Sequence, residues 1–269
     1  MKNVAVITGA GSGIGLAIAR IFKNDVVLIC GRTQSKIDNA LKVLKDDGVE
    51  AHGMACDVSD RSSVEALANK GKSLGNVRWL INNAAVVEGS TELIFKINML
   101  GTIYPTEVFY PLMGEESVII NISSIAGYMY PMTDGVKRIV ENASAPDFIE
   151  IALKEAPVEG ITAYSLTKKF VHEYTKQCCV EFAKKRIRVV SISPGPFTTD
   201  MLETAKSKYS LDEGSMIKNS PAGREGNPVE CAYLVEYLID KKAEFINGTD
   251  IVIDGGSSLV SQLDNSSAK

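Results

Sequence analysis

An apolar run, Val4–Thr8, passes directly into Gly9-Ala10-Gly11-Ser12-Gly13-Ile14-Gly15, and apolar residues then recur at helical spacing over Ile14–Phe22. A strand that turns through glycines into a helix is the strongest constraint on how this chain folds. Glycine lets the backbone turn tightly and approach a ligand where a Cβ would intrude. The helix start offers free N–H groups and a positive dipole end, which suits a pyrophosphate. A glycine string alone also serves as a bare tight turn. Its place after the first strand of a βαβ unit favours nucleotide binding.

The rest of the chain repeats the alternation. Val26–Cys30, Ala51–Ala55, Trp79–Asn82, Val118–Ile122, Arg188–Ile192 and Ile251–Ile253 read as further strands. They are nearly continuous apolar runs, as expected for a parallel sheet covered on both faces. Between them, Lys36–Leu44, Val64–Leu74, Thr91–Met113, Tyr164–Lys184 and Val229–Leu238 carry helical spacing. The fold class that follows is α/β: one Rossmann-like, doubly wound sheet of seven mostly parallel strands with helices on both faces. Residues 1–260 form this single domain, and 261–269 form a polar tail. Two segments break the alternation. Residues 128–162 contain a helical stretch, Val136–Ala156, and residues 196–227 form a candidate substrate loop, since long excursions at strand carboxyl ends shape binding sites.

Composition narrows the partners. Of 269 residues, 29 are basic and 33 acidic, a net charge of −4 that gives no pull towards nucleic acid or an anionic membrane. No apolar run approaches the length needed to span a bilayer. The five cysteines (30, 56, 178, 179 and 231) form no CxxC and no metal spacing, which fits reduced thiols in the cytoplasm. With only His52 and His172, no multi-histidine metal site is expected.

Individual positions then carry chemistry. The second strand ends in Cys30-Gly31-Arg32-Thr33, without the carboxylate that would hold a ribose 2′-OH. Arg32 can pair with a 2′-phosphate and Thr33 can hydrogen-bond it, so NADP(H) is favoured and NAD(H) stays open; Arg32 as a solvated surface residue is the plainer alternative. Asp57 can accept from an adenine amine or cap the next helix. Tyr164 and Lys168 stand four apart and share a helix face. An ammonium beside a phenol lowers the phenol pKa, making Tyr164 a proton donor to a carbonyl or an acceptor from an alcohol. Ser124 ends the fifth strand, where its hydroxyl can bond a substrate oxygen; Ser123 suits a strand-end turn. Asn82 and Asn83 end the fourth strand, where amides bridge strands or line the cleft. Asn98, among apolar neighbours, anchors a water or makes a structural hydrogen bond.

Together these motifs resemble the short-chain dehydrogenase/reductase family over nearly the whole chain. The resemblance rests on TGAGSGIG at 8–15, NNAA at 82–85, Asn98, the NISS strand end, YSLTK at 164–168, SPGPFTTDM at 193–201, GREGNP at 223–228 and IDGG at 253–256. It implies a catalytic tetrad of Asn98, Ser124, Tyr164 and Lys168. Ser124 orients the substrate oxygen, Tyr164 is the general acid/base, Lys168 holds the nicotinamide ribose, and Asn98 supports a water relay. It also implies cofactor contacts at Gly9, Gly11, Ser12, Gly13, Ile14, Gly15, Arg32, Thr33, Asp57, Val58, Asn83, Ala84, Pro194, Gly195, Phe197 and Thr199, with Thr199 at the carboxamide. Two departures stand out: Ala85 replaces a glycine, and the interval from Ser124 to Tyr164 is long. The long interval is similar to that of carbonyl reductases and bacterial 3α-hydroxysteroid dehydrogenase/carbonyl reductases. It is expected to form a flap beside the active site and to alter the usual homodimer or homotetramer interface. Tyr128, Met129, Tyr130, Phe197 and the segment Met201–Met216 suit a bulky apolar ketone or alcohol such as a steroid, or serve as core. Other carbonyl or imine reduction, and a non-enzymatic cofactor-binding regulator, are the alternatives.

Overall fold

The computed structural model describes residues 1–210 and 220–260. The polar tail 261–269, and the part of the substrate segment that includes Met216, lie outside the described residues. Seven strands form one parallel sheet: β1 (Asn3–Thr8), β2 (Val26–Gly31), β3 (Glu50–Ala55), β4 (Asn76–Asn82), β5 (Val118–Ile122), β6 (Arg188–Pro194) and β7 (Asp250–Ile253). Their order is β3-β2-β1-β4-β5-β6-β7. Every expected strand is present, and every pairing is parallel.

Alternation along β1 divides the core. Val4 and Val6 face one layer, while Ala5 and Ile7 face the other. The Ala5 layer is closed by α1 (Gly13–Ala19), α2 (Gln34–Asp46) and α11 (Pro228–Ile239) through Ile18, Ile37, Leu44 and Val235. The Val4 layer is closed by α3 (Arg61–Leu74), α4 (Thr91–Phe95), α5 (Gly101–Phe109) and α9 (Gly160–Glu181).

Two expected helices are interrupted, each for a local reason. Thr91–Met113 is not one helix: a π turn at Lys96–Leu100 separates α4 from α5, and Pro105 sits inside α5. Proline has no N–H to give the preceding turn, so the ladder must adjust there. Val136–Ala156 is split into α7 (Asp134–Glu141) and α8 (Phe148–Glu155). Pro146 lies in the gap, and a proline disfavours helical backbone in the residue before it. The remaining helices, α6 (Ala126–Met129) and α10 (Asp200–Tyr209), follow β5 and β6.

Of the segment 128–162, expected as a flap beside the active site, only Met129 and Ile161 line the cleft, and the α7–α8 hairpin lies outside that lining. It packs on α9 and α4. Val136, Ile139, Phe148 and Ala152 are buried, whereas Lys137, Arg138 and Glu141 face outward. Phe148 meets Phe170 of α9 with ring centroids 5.6 Å apart. This contact anchors the hairpin, so Phe148→Ala should cost about 3–5 kcal/mol of unfolding free energy. Urea denaturation measures it; a loss below about 1 kcal/mol would mean that the hairpin is not docked in this way.

Candidate active site

The carboxyl ends of β1, β4, β5 and β6 open into a cavity of about 520 Å³. Its floor is the glycine turn, held against the end of β4 by a reciprocal set of bonds. Thr8 Oγ1 accepts from the Asn83 and Ala84 N–H groups at 3.0 and 3.1 Å. Asn83 Nδ2 donates to the Thr8 and Gly9 carbonyls at 3.1 and 3.0 Å. No side chain fits in this seam. A Cβ on Gly9 would lie 2.7 Å from Ala84 Cα, and one on Gly15 would lie 2.6 Å from Asn83 Nδ2. Gly9 and Gly13 also have φ of +66° and +57°, where glycine is favoured.

Of the expected cofactor contacts, Gly9, Ser12, Gly13, Ile14, Arg32, Val58, Asn83, Ala84, Pro194, Gly195, Phe197 and Thr199 line the cavity. The others lie elsewhere. Gly11 faces Lys36, and Gly15 faces Asn83 and the Gly9 carbonyl. Thr33 is the N-cap of α2, with no side-chain cap bond. Asp57 accepts from the Ser59 N–H and hydroxyl at 2.9 and 2.7 Å, while Asp60 caps α3. Ser12, at the start of α1, likewise makes no cap bond, which leaves its hydroxyl for a ligand.

Ser124, Tyr164 and Lys168 converge on one wall. The Ser124 hydroxyl stands near the Tyr164 phenol and accepts from the Ala126 N–H at 3.1 Å. Lys168 Nζ lies 5.5 Å from the Tyr164 ring centroid and donates to the Ile122 carbonyl at 3.0 Å. The expected depression of the phenol pKa is not what this arrangement gives. Burial pushes Tyr164 up to about 12, and the neighbouring Ser124 hydroxyl only moderates the rise. Burial also pushes Lys168 down to about 8. The ammonium is aimed at a carbonyl rather than at the phenol oxygen, so loss of solvation dominates both groups.

Asn98 does not line the cavity. It is 1% exposed and sits in the π turn. Its Oδ1 accepts from the Val86 N–H at 2.8 Å, and its Nδ2 donates to the Val86 carbonyl and Thr167 Oγ1 at 2.9 and 3.1 Å. Thr167 Oγ1 in turn donates to the Tyr164 carbonyl at 2.7 Å. Of the two uses expected for this side chain, the structure displays the structural one: a clamp between the loop after β4 and α9. Asn82 bridges strands, donating to Asn121 Oδ1 and Thr106 Oγ1 at 2.8 and 2.9 Å.

A second wall is apolar. Met129, Phe197, Met201, Leu202 and Ala205 reach it as expected, joined by Val86, Val87 and Ile161, which sequence reasoning missed. Tyr128 and Tyr130 do not reach it. The Tyr128 hydroxyl donates to Asp250 at 2.7 Å, and Tyr130 packs against the core. Helix α10 is fastened over this wall. Thr199 caps its start by accepting from the Leu202 N–H at 3.3 Å, and the Tyr209 hydroxyl at its end donates to the Val87 carbonyl at 2.8 Å. Among the described residues no helix is long and apolar enough to cross a membrane, and no side-chain group is arranged to hold a metal ion.

Comparison with known proteins agrees with this geometry. Residues 3–136 match the family model described as short chain dehydrogenase, and residues 132–258 match that described as Enoyl-(Acyl carrier protein) reductase. Short-chain dehydrogenase/reductase bsc3 of Alternaria brassicicola is 30% identical over 99% of both chains. The chain belongs to the short-chain dehydrogenase/reductase family. A tropinone reductase homolog of Datura stramonium is also 30% identical, over 95% of this chain and 91% of its own. A variant of actinorhodin polyketide ketoreductase solved with NADPH superposes with a TM-score of 0.78 at 27% identity, covering 96% of this chain and 97% of that one.

In this family member the Lys168 ammonium is a stability liability. Its folded pKa of about 8 lies below the ordinary 10.5. Between those values the unfolded chain holds more protons, so stability rises with pH; below about 8 the full penalty applies. Lys168→Met should therefore raise the unfolding free energy at pH 7 by about 1–3 kcal/mol, after allowance for the lost bond to Ile122. The gain should shrink towards about pH 10. Equal stabilities of variant and wild type at pH 7 would contradict it.

Proposed function

We propose that this protein is an NADP(H)-dependent oxidoreductase that interconverts a ketone and a secondary alcohol on a bulky apolar substrate, with steroids as the leading class. The observation that carries the reading is the convergence of Ser124, Tyr164 and Lys168 on a cavity whose lining beside Tyr164 is largely apolar. The residues present fit a nicotinamide dinucleotide. The glycine turn is a cradle that side chains would fill. Lys168 has three donors, and among the described residues its one hydrogen-bond acceptor is the Ile122 carbonyl, which leaves N–H groups for ribose hydroxyls. Arg32 lines the adenosine end, and Lys36, in the first turn of α2, stands against Gly11, so a 2′-phosphate would meet two cations beside a helix N-terminus. The ketoreductase solved with NADPH supports the same preference.

When bound, the nicotinamide supplies or accepts the hydride. The protein's part is to place an oxygen and move a proton. In reduction the Ser124 hydroxyl holds the substrate oxygen and the Tyr164 phenol protonates it; in oxidation the Tyr164 phenolate takes the proton. A phenol held near 12 carries its proton at neutral pH but gives it up less readily, and its phenolate is scarce as a base. Lys168, lowered by burial only to about 8 and so still mostly protonated at neutral pH, supplies the positive charge that favours the phenolate. The tetrad's remaining member, Asn98, acts through Val86 and Thr167 by fixing α9. The same constellation serves other carbonyls, and imines, equally well. Assembly as a homodimer or homotetramer belongs to this reading. The α7–α8 hairpin covers part of α9, so assembly would use another face.

Tyr164→Phe should lower kcat by about 10²–10⁴-fold while the affinity for NADPH, read by fluorescence titration, stays within about threefold. Undiminished turnover against a panel of ketones and steroids would overturn the reading. Arg32→Ala should reduce the NADPH-over-NADH preference in kcat/KM by about tenfold or more. A preference untouched by that change removes Arg32 as its source.

A further inference from the structure

Beneath the cavity, outside its lining, lies a polar cluster that the proposed reaction does not use. Asp250 opens β7 at the sheet edge. Its Oδ2 accepts from the Tyr128 hydroxyl at 2.7 Å, and its Oδ1 accepts from Ser191 Oγ at 2.6 Å. His172 Nε2 shares a hydrogen bond of 2.8 Å with Ser193 Oγ and lies 3.6 Å from Asp250 Oδ1. The His172 and Tyr128 rings meet at 4.8 Å. Glu173, Lys169 and Lys176 of α9 are the other charged groups near this cluster. His172 uses one nitrogen towards both Ser193 and Asp250, so the group is not arranged as a nucleophilic triad.

The cluster instead joins β6, β7 and α9 to the single turn α6. Four residues of helix have almost no stability of their own. Helix α6 is held at two points. At Gly127 it presses on α9, where a Cβ would come 2.6 Å from His172 Cε1 and 2.8 Å from the Lys168 carbonyl carbon. At Tyr128 it hangs from Asp250. Ser124 is bound to the same turn: its hydroxyl accepts from the Ala126 N–H, and its carbonyl accepts from the Gly127 N–H at 3.0 Å.

We propose that Tyr128 and Asp250 are positioning residues, whose hydrogen bond fixes α6 and thereby sets where the Ser124 hydroxyl stands relative to the Tyr164 phenol. The role in turnover rests on the oxidoreductase reading; the geometry does not. Around Tyr164 the groups concerned are Ser124 after β5, Lys168 on its own helix and Asp200 of α10, all in the cavity lining. The Ser124 hydroxyl lowers the phenol pKa, so moving it away raises the pH at which Tyr164 becomes a base.

The test compares Tyr128→Phe, Asp250→Ala and Asp250→Asn in the full chain. In alcohol oxidation with saturating NADP⁺, Tyr128→Phe and Asp250→Ala should lower kcat by about tenfold or more. Both should also move the rising limb of the pH profile upward, with NADP⁺ affinity unchanged. Asp250→Asn keeps an acceptor for the Tyr128 hydroxyl and should recover most of that loss. A second measurement is independent of turnover: in protein carrying isotope-labelled tyrosine, the hydroxyl-bearing ring carbon of Tyr164 reports the hydrogen bond to its oxygen. That resonance, assigned by its absence in Tyr164→Phe, should shift in Tyr128→Phe and return towards wild type in Asp250→Asn. A Tyr128→Phe protein whose melting temperature falls, but whose Tyr164 resonance and pH limb stay in place, overturns the proposal. Wild-type activity insensitive to Tyr164→Phe overturns the oxidoreductase reading alone, because the resonance still decides the positioning role.

Discussion

The cleft depends on how closely the glycine turn approaches the end of β4. The chain winds outward from β1 in two directions, through β2 and β3 on one side and β4 to β7 on the other, so consecutive right-handed crossovers leave a crevice between β1 and β4. A crevice alone would be a gap between loops. Here it is drawn tight, because Gly9 and Gly15 leave no room for a Cβ against Ala84 and Asn83, and Thr8–Gly9 and Asn83–Ala84 share four hydrogen bonds across it. The result is a rigid floor with two features turned upward: the open start of α1 and the backbone that leads to Val86. The latter is in turn gripped by Asn98.

Helix α9 shows what such rigidity requires of a sequence. It runs through the core yet buries Ser165, Thr167, Lys168, His172 and Thr175. The polar contacts on its inner face come from several elements. Asn98 of the π turn bonds Thr167, Ser123 after β5 donates to the Lys168 carbonyl, and Asn121 of β5 donates to Thr175. Ser193 of β6 meets His172. An apolar face could slide by a fraction of a turn at small cost, whereas this one has a single register in which all partners are satisfied. That register places the Tyr164 phenol beside Ser124 and keeps a poorly solvated lysine a turn behind it.

How much of this was legible in the sequence follows from the range of the forces involved. The strands were legible because both faces of a parallel strand are buried, and a run such as Val118–Ile122 has few alternatives. The Ser124, Tyr164 and Lys168 cluster was legible because spacing on a helix and position at a strand end are local properties. The break between α4 and α5 and the split between α7 and α8 were marked by Pro105 and Pro146, but the helical spacing around them hid the marks. Tyr128 could not be placed. Its residue type suits a substrate wall, yet its direction is decided by Asp250, which only the completed sheet brings near. The phenol's direction of shift was misread for the same reason: spacing reveals a neighbouring ammonium, whereas the loss of water that outweighs it is a property of the packed core.

On the proposed reaction, the uneven distribution of charge along the cavity determines what kind of selectivity is available. Its charged lining residues are Arg32 at the adenosine end and Lys168 and Asp200 near the reacting end. The apolar wall packs with Tyr164 through Val87, Ala126, Met201 and Ala205 and also includes Met129, Ile161 and Leu202. Such a wall offers no partner to an anionic group, so a carboxylate or phosphate placed there would lose its hydration uncompensated. Between two apolar scaffolds it discriminates weakly, because one methylene more or less is worth only about 1–3 kcal/mol in a hydrophobic pocket. Met129 and Met201 weaken that discrimination further, since an unbranched thioether repacks around different shapes. Precision in this enzyme therefore resides on the other wall, where Ser124 and Tyr164 must agree on the position of a single oxygen. A substrate that brings a carbonyl to that point, on a neutral apolar body, satisfies both walls at once.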